Sequence, residues 1–258
     1  MIAAVVQARM GSSRLPGKTL ADIGGRPMLG RLVDRARLIP GVEQVVIATT
    51  ERPADAAILR FAEAEGLPAS AGSEQDVLDR IYRAASRFRV SVIVRVTPDC
   101  PMLDPAVSGL VLDRFLEAGG ELDYASNTQP PSFPDGLDTE VFAFETLERA
   151  WREARLPSER EHVTPYIWKQ PDKFRLANVT HEPDLSAMRW TVDEARDLAF
   201  ARAIFARLGA RGLFGMQDML ALLRREPSLL EINTGPHRNE GYDRSVRQDL
   251  RPTESPRS

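Results

Sequence analysis

The chain of 258 residues has a single cysteine, Cys100, so no disulfide can close within it. That excludes a bridge-stapled secreted scaffold and leads us to expect a reducing, cytoplasmic home. Lysine is almost as scarce. Lys18, Lys169 and Lys173 are all there are, and the rest of the 34 basic residues are arginines. No apolar run approaches the roughly 20 residues that a membrane span needs. The opening MIAAVVQARMG has no basic segment before its apolar stretch, so neither a span nor a signal peptide is expected. A strong charge of either sign is missing too: the formal net charge is −3, with both signs interspersed. A nucleic-acid-binding face is therefore not expected. What is present is ordinary globular material, 43% hydrophobic and 28% charged, and long enough to bury a large core.

Short apolar runs alternate with amphipathic segments over most of the chain. Residues 2–8 form an apolar run that a glycine-rich loop ends, the signature of a buried parallel strand. Similar runs at 42–50 and 90–96 predict further strands, and a shorter one is expected at 122–126. Helical spacing is found at 27–39, 55–65, 73–87 and 105–118, with Ser73 and Asp76 resembling a capping box. This alternation predicts an α/β fold with right-handed crossovers and a mainly parallel sheet. The rhythm changes after Gly136. Strands at 139–144, 174–179 and 187–192 and helices at 145–154 and 159–169 predict an α+β insertion at about 137–186, rejoining the sheet near Trp190. Helices at 194–208 and 217–225 follow. We expect one domain over 1–234 and a mobile polar tail over 235–258.

Three stretches carry chemistry. The first is ARMGSSRLPGK, residues 8–18, directly after the first strand. Its glycines and serines suit an anion-binding backbone nest, and Arg9, Arg14 and Lys18 would neutralise a polyphosphate. In an open α/β sheet, ligands bind at the carboxyl ends of the strands, where this loop emerges. Gly17-Lys18-Thr19 looks like the end of a P-loop, but that motif needs a glycine five positions before Gly17, where Ser12 stands. The second stretch is VRVTPDCPMLDP, residues 94–105. It holds Asp99 between Pro98 and Pro101 at the same sheet edge, as a ligand for a hard cation or as a turn cap. The third, RWTVD, ends on Asp193, which suits a metal ligand or a helix N-cap equally from its spacing.

Together these stretches resemble the cytidylyltransferases that activate sugar acids, the CMP-KDO and CMP-sialate synthetases. Residues 9–18 look most like the KDO enzymes. Ser73–Arg80 keeps only the Asp79-Arg80 pair of their SGTDR segment. That variant, with Gly136-Leu137-Asp138 and Arg160-Glu161-His162, is closer to the subgroup named for spore-coat polysaccharide biosynthesis.

The resemblance implies a Rossmann-like, GT-A-like nucleotidyltransferase sandwich with a small inserted α+β dimerisation subdomain. It implies a homodimer that transfers CMP from CTP to an acidic sugar or related acid in surface-polysaccharide biosynthesis, with Mg²⁺ as cofactor. Carried over by position, Arg9, Arg14, Lys18 and Asp99 are the catalytic set, and Asp99 and Asp193 hold the metal. Ala8, Arg9, Gly11, Ser12, Ser13, Lys18, Asp79 and Arg80 contact the nucleotide. A metal-dependent glycosyltransferase with a nucleotide-sugar donor is the alternative, disfavoured by a loop built for a triphosphate.

Weaker candidates are open on the sequence. His162 faces an acceptor or belongs to a solvated or dimer face. His181 reads as surface, and His237 falls in the expected tail. Cys100 reads as a buried structural thiol and the tryptophans as core or interface. Residues 130–136 form either a lid or a rigid connection.

Overall fold

The apolar run that opens the chain forms an inner strand of the seven-stranded sheet found among the described residues. The computed structural model describes residues 1–233, 238 and 240–249. Strand β1 (Ile2–Gln7) lies between β2 (Gln44–Thr50) and β4 (Val92–Val96), parallel to both, and β3 (Ala69–Gly72) extends the sheet beyond β2. The four middle residues of β1 are fully buried. Its side chains alternate between two core layers, Ala4 and Val6 on one face and Ala3 and Val5 on the other. A strand covered on both faces needs apolar residues at every position, which is why it reads as a continuous run.

Helices α1 (Met28–Ala36), α2 (Ala56–Ala64) and α4 (Pro105–Leu116) cover the first face, and α3 (Val77–Arg87) and α5 (Phe144–Glu153) the second. Beyond β4 the order runs β6 (Glu140–Ala143), β5 (Tyr124–Ser126), β7 (Leu176–Asn178). Only β6 is antiparallel to its neighbours. A third core layer packs α8 (Ala195–Leu208) and α9 (Met216–Arg225) around the buried Trp190 and Val192.

The mainly parallel α/β sheet is as expected, and four local features differ. Strands β6 and β7 of the expected insertion sit in the main sheet, so 137–186 adds to it rather than standing apart. The expected strand at 187–192 reduces to one bridge between Asp135 and Arg189. The amphipathic run at 159–169 breaks into α6 (Pro157–His162) and α7 (Pro165–Trp168). Val163, between them, has φ +76°, and Pro165 has no N–H to continue the first helix.

The fourth difference is in the expected tail. There Glu240–Asp249 forms helix α11 after the short α10 (Leu229–Ile232). It is held by tertiary contacts that periodicity does not encode. Tyr242 lies edge-on to His162 and Trp168, and Asp249 Oδ1 accepts the Ser158 N–H at 3.0 Å. Apart from Arg238, the remainder of the expected tail, His237 included, lies outside the described residues.

Residues 130–136 form a packed connection rather than a free lid. Phe133 is buried, and Gly136 at φ +111° lies against the Trp190–Thr191 backbone, where a Cβ would come within 2.7 Å of the Trp190 carbonyl carbon. Only glycine fits that approach.

Candidate active site

A cleft of about 1040 Å³ opens at the carboxyl ends of β1 and β4. One wall is the loop after β1. Gly17, at φ +75°, turns the chain into a short helical turn over Lys18–Leu20. The loop is pinned from both sides. Thr19 Oγ1 donates to the Arg9 carbonyl at 2.6 Å, and the Met10 N–H donates to Asp55 Oδ1 at 2.6 Å. The N–H groups of Ser12 and Gly17 both donate to the Met10 carbonyl, so they serve the loop's own shape instead of an anion nest. The amides of Gly11, Ser13 and Arg14 have no protein partner among the described residues, and all three residues line the cleft.

Lys18 joins the three motifs. Its ammonium donates to the Val192 carbonyl at 2.8 Å, to Asp193 Oδ1 at 2.9 Å and to Asp99 Oδ2 at 3.4 Å. Burial would lower its pKa, but Asp99 and Asp193 outweigh that and raise it above 10.5. Burial likewise favours a neutral Asp193, yet Lys18, Arg189 and Arg14 hold its carboxyl below 3.8. Two aspartates distant in sequence thus share one cation. The Val192 N–H and the Thr191 hydroxyl also hold the Asp99 carbonyl, at 2.8 and 3.2 Å.

A second layer fixes Asp193. Arg189 Nη2 lies 2.9 Å from Asp193 Oδ2 and 3.0 Å from Asp197 Oδ2, and its Nη1 reaches Asp135 at 3.2 Å. Asp197 is fully buried and accepts the N–H groups of Asp193 and Glu194 at 2.8 and 2.9 Å, capping α8. Asp193 itself is therefore free of the capping role its spacing allowed. Arg189 opens the third stretch and Asp197 follows it, but spacing does not reveal their role, because an arginine inside an apolar segment reads the same whether it supports a site or faces solvent.

Arg14 bridges Asp193 at 3.0 Å and Glu240 of α11 at 2.9 Å, while Arg9 meets Glu74 at 3.7 Å. The structure brings Arg9, Gly11, Ser12, Ser13, Arg14, Lys18, Arg80, Asp99 and Asp193 into one cleft. Arg80 is buried there with Nη1 on the Ser73 carbonyl at 2.6 Å, and burial lowers its guanidinium to about 10. Two expected contacts are not brought in. Ala8 is buried at the end of β1, its N–H on the Ala48 carbonyl at 3.0 Å. Asp79 points away, accepting Arg83 Nε at 2.6 Å and Trp151 Nε1 at 2.9 Å. Its helix also starts later than expected, at Val77, with Asp76 as N-cap accepting the Asp79 N–H.

The other wall takes in His162, one of whose two readings faced an acceptor, and residues with no signal in the sequence. Arg95 of β4 pairs with the buried Glu140 of β6, whose Oε1 also accepts Tyr124 and Thr164 hydroxyls at 2.6 Å each. His162 of α6 lies 3.0 Å from Ser245 of α11, and burial lowers its pKa below 6.5. Arg160 is held by Asp76 at 2.6 Å. Gly241 and Arg244 of α11 complete this wall. Cys100, beside Asp99, is buried with its thiol pushed up by burial, an inert structural residue. His181 is half-buried against Phe133, away from the cleft.

Residues 3–203 match the family described as Cytidylyltransferase. The spore coat polysaccharide biosynthesis protein SpsF of Bacillus subtilis is 30% identical over 230 residues, covering 86% of this chain and 94% of that protein. A 3-deoxy-manno-octulosonate cytidylyltransferase of an Anaeromyxobacter species is 39% identical over 130 residues, 47% of this chain and 49% of its own length. A solved cytidylyltransferase from Leptospira borgpetersenii superposes with a TM-score of 0.84 at 32% identity, over 92% of this chain and 99% of that one. The family match takes in all seven strands and the residues from Arg9 to Asp193 that Lys18 draws together, and on that ground the chain belongs to the cytidylyltransferase family and is a nucleotidyltransferase.

Proposed function

We propose that this enzyme transfers CMP from CTP to an acidic sugar or related acid and releases pyrophosphate. The observation that carries the reading is the Lys18 ammonium held jointly by Asp99 and Asp193 at the sheet edge. An oxygen of the acceptor attacks the α-phosphorus, the new P–O bond forms, and the bond to the β-phosphate oxygen breaks. Such a displacement needs alignment and charge neutralisation more than a covalent nucleophile. Arg9, Arg14 and Lys18 would balance the charge gathering on the leaving pyrophosphate.

Asp99 and Asp193 would hold Mg²⁺. Two carboxylates that already converge on one cation fit a hard divalent ion, which takes oxygen ligands and keeps room for phosphate. Bound there, the ion would stabilise charge on the α-phosphate and lower the pKa of the attacking hydroxyl. Arg189 and Asp197 orient Asp193 for that role. The names of the relatives support a sugar-acid acceptor and a place in surface-polysaccharide biosynthesis. The lone buried cysteine suits a reducing cytoplasm, and among the described residues no helix is long and apolar enough to cross a membrane. We further expect a homodimer formed through the α5–α7 side, where Leu156 is exposed; light scattering tests it.

The nucleotide assignment is checked by thermal shift with each of the four NTPs and Mg²⁺. CTP should stabilise the protein most. An equal shift with all four, or none with CTP, contradicts it.

A further inference from the structure

Among the described residues, almost every cation lining the cleft already has a close partner. Lys18 holds two aspartates, Arg14 bridges Asp193 and Glu240, and Arg160 sits on Asp76 at 2.6 Å. Arg95 is paired with Glu140 and Arg80 with backbone carbonyls. Two guanidiniums differ. Arg9 meets Glu74 only at 3.7 Å, and Glu74 is taken at 2.8 Å by Arg52. Arg244 meets Glu240 only at 3.8 Å, and Glu240 is taken at 2.9 Å by Arg14. Their side chains are 47% and 59% exposed, against 12% for Lys18. Each therefore gains more from an incoming anion than a guanidinium that must first give up a carboxylate.

The two stand at different places. Arg9 belongs to the loop that the triphosphate reading already claims. Arg244 reaches the cleft from α11, beyond the 3–203 family match. One turn before it, about 6 Å along the helix axis, Glu240 touches the phosphate-loop Arg14. One residue after it, Ser245 donates to Glu161 at 2.7 Å and lies 3.0 Å from His162. Arg244 thus sits between the phosphate loop and the α6 wall, where a second anionic substrate would lie beside the α-phosphate.

We propose that Arg244 is a specificity residue that binds the carboxylate of the acid acceptor, so that α11 completes the acceptor half of the site. This rests on the cytidylyl-transfer reading. A guanidinium takes a carboxylate through two parallel N–H donors, a geometry that neutral sugars cannot supply.

The test uses the full chain with Mg²⁺ and CTP, following pyrophosphate release with 3-deoxy-manno-octulosonate, N-acetylneuraminate, glycerate and the neutral sugar mannose. Arg244→Gln should raise KM for the acid about tenfold or more while leaving KM for CTP within about twofold, and Arg244→Lys should recover part of the loss. The unchanged CTP value doubles as the folding control. An acid KM that does not move, or a CTP KM that rises in step with it, overturns the proposal while leaving cytidylyl transfer intact. A wild-type enzyme that turns over mannose but no acid overturns the acid-acceptor reading and this proposal together. A wild-type enzyme that neither releases pyrophosphate nor binds CTP overturns the nucleotide reading instead.

Discussion

The two ends of the cleft are built on different plans. The phosphate end comes from one contiguous loop and two aspartates, one after β4 and one before α8, drawn together by a single ammonium. The acceptor end is assembled from α6, from β4 and β6 in the sheet, and from α11, segments that lie far apart in the chain, from Arg95 to Arg244. The first kind of site is rigid, because its geometry is set by parallel strands buried on both faces. The second adds helices docked at the edge to the Arg95–Glu140 pair of the sheet, and its α6 and α11 residues can change without disturbing the sheet.

The largest test of this contrast is at the phosphate end. Asp99→Asn or Asp193→Asn should lower kcat by about a thousandfold or more, with the protein still folded at the assay temperature. Near-normal turnover in either would separate the aspartates from the chemistry. Lys18→Ala should cost about a hundredfold in kcat/KM for CTP, and an unchanged value would mean that Lys18 only holds the aspartates together.

Gly136→Ala probes the link between the halves. Its Cβ would strike the backbone leading to Asp193, so we expect about 2–4 kcal/mol of lost stability in urea unfolding. A loss below about 1 kcal/mol would show that the 130–136 connection can yield.

Smallest of all is the effect of pH on nucleotide binding. Lys18 has a folded-state pKa raised above 10.5, so its pairing contributes fully below that value and fades only as pH rises through the raised one. Asp193 is depressed below 3.8, so its contribution is present above that value and is lost as pH falls through the lowered one. KM for CTP should therefore be flat from neutral pH to about 10. His162, lowered below 6.5, places any acid-side change at the acceptor end, in the acid KM.

What the sequence revealed follows the same divide. Continuous apolar runs announced β1, β2 and β4, and the end of β4 located Asp99, while Asp193 follows an apolar segment that joins the structure by a single bridge. Both aspartates had two readings by spacing, and only the fold could bring them to one point. The short β3 passed unseen because Ala69–Gly72 has too few large apolar residues to stand out. Asp79 was misplaced because its adjacency to Arg80 says nothing of helix phase: Arg80 faces the cleft and Asp79 faces Trp151. Helix α11 was illegible for a deeper reason. Its polar sequence is stabilised by Tyr242, Ser245 and Asp249 meeting α6 and α7, contacts that exist only after the rest of the chain has folded.

The central claim is cytidylyl transfer to an acid, and pyrophosphate release tests it most directly. With Mg²⁺ and a panel of acidic sugars, CTP should support release that depends on the acid and leaves the CMP group attached to it. Release with no acid under CTP, together with hydrolysis of a nucleotide-sugar donor in its place, would contradict the account.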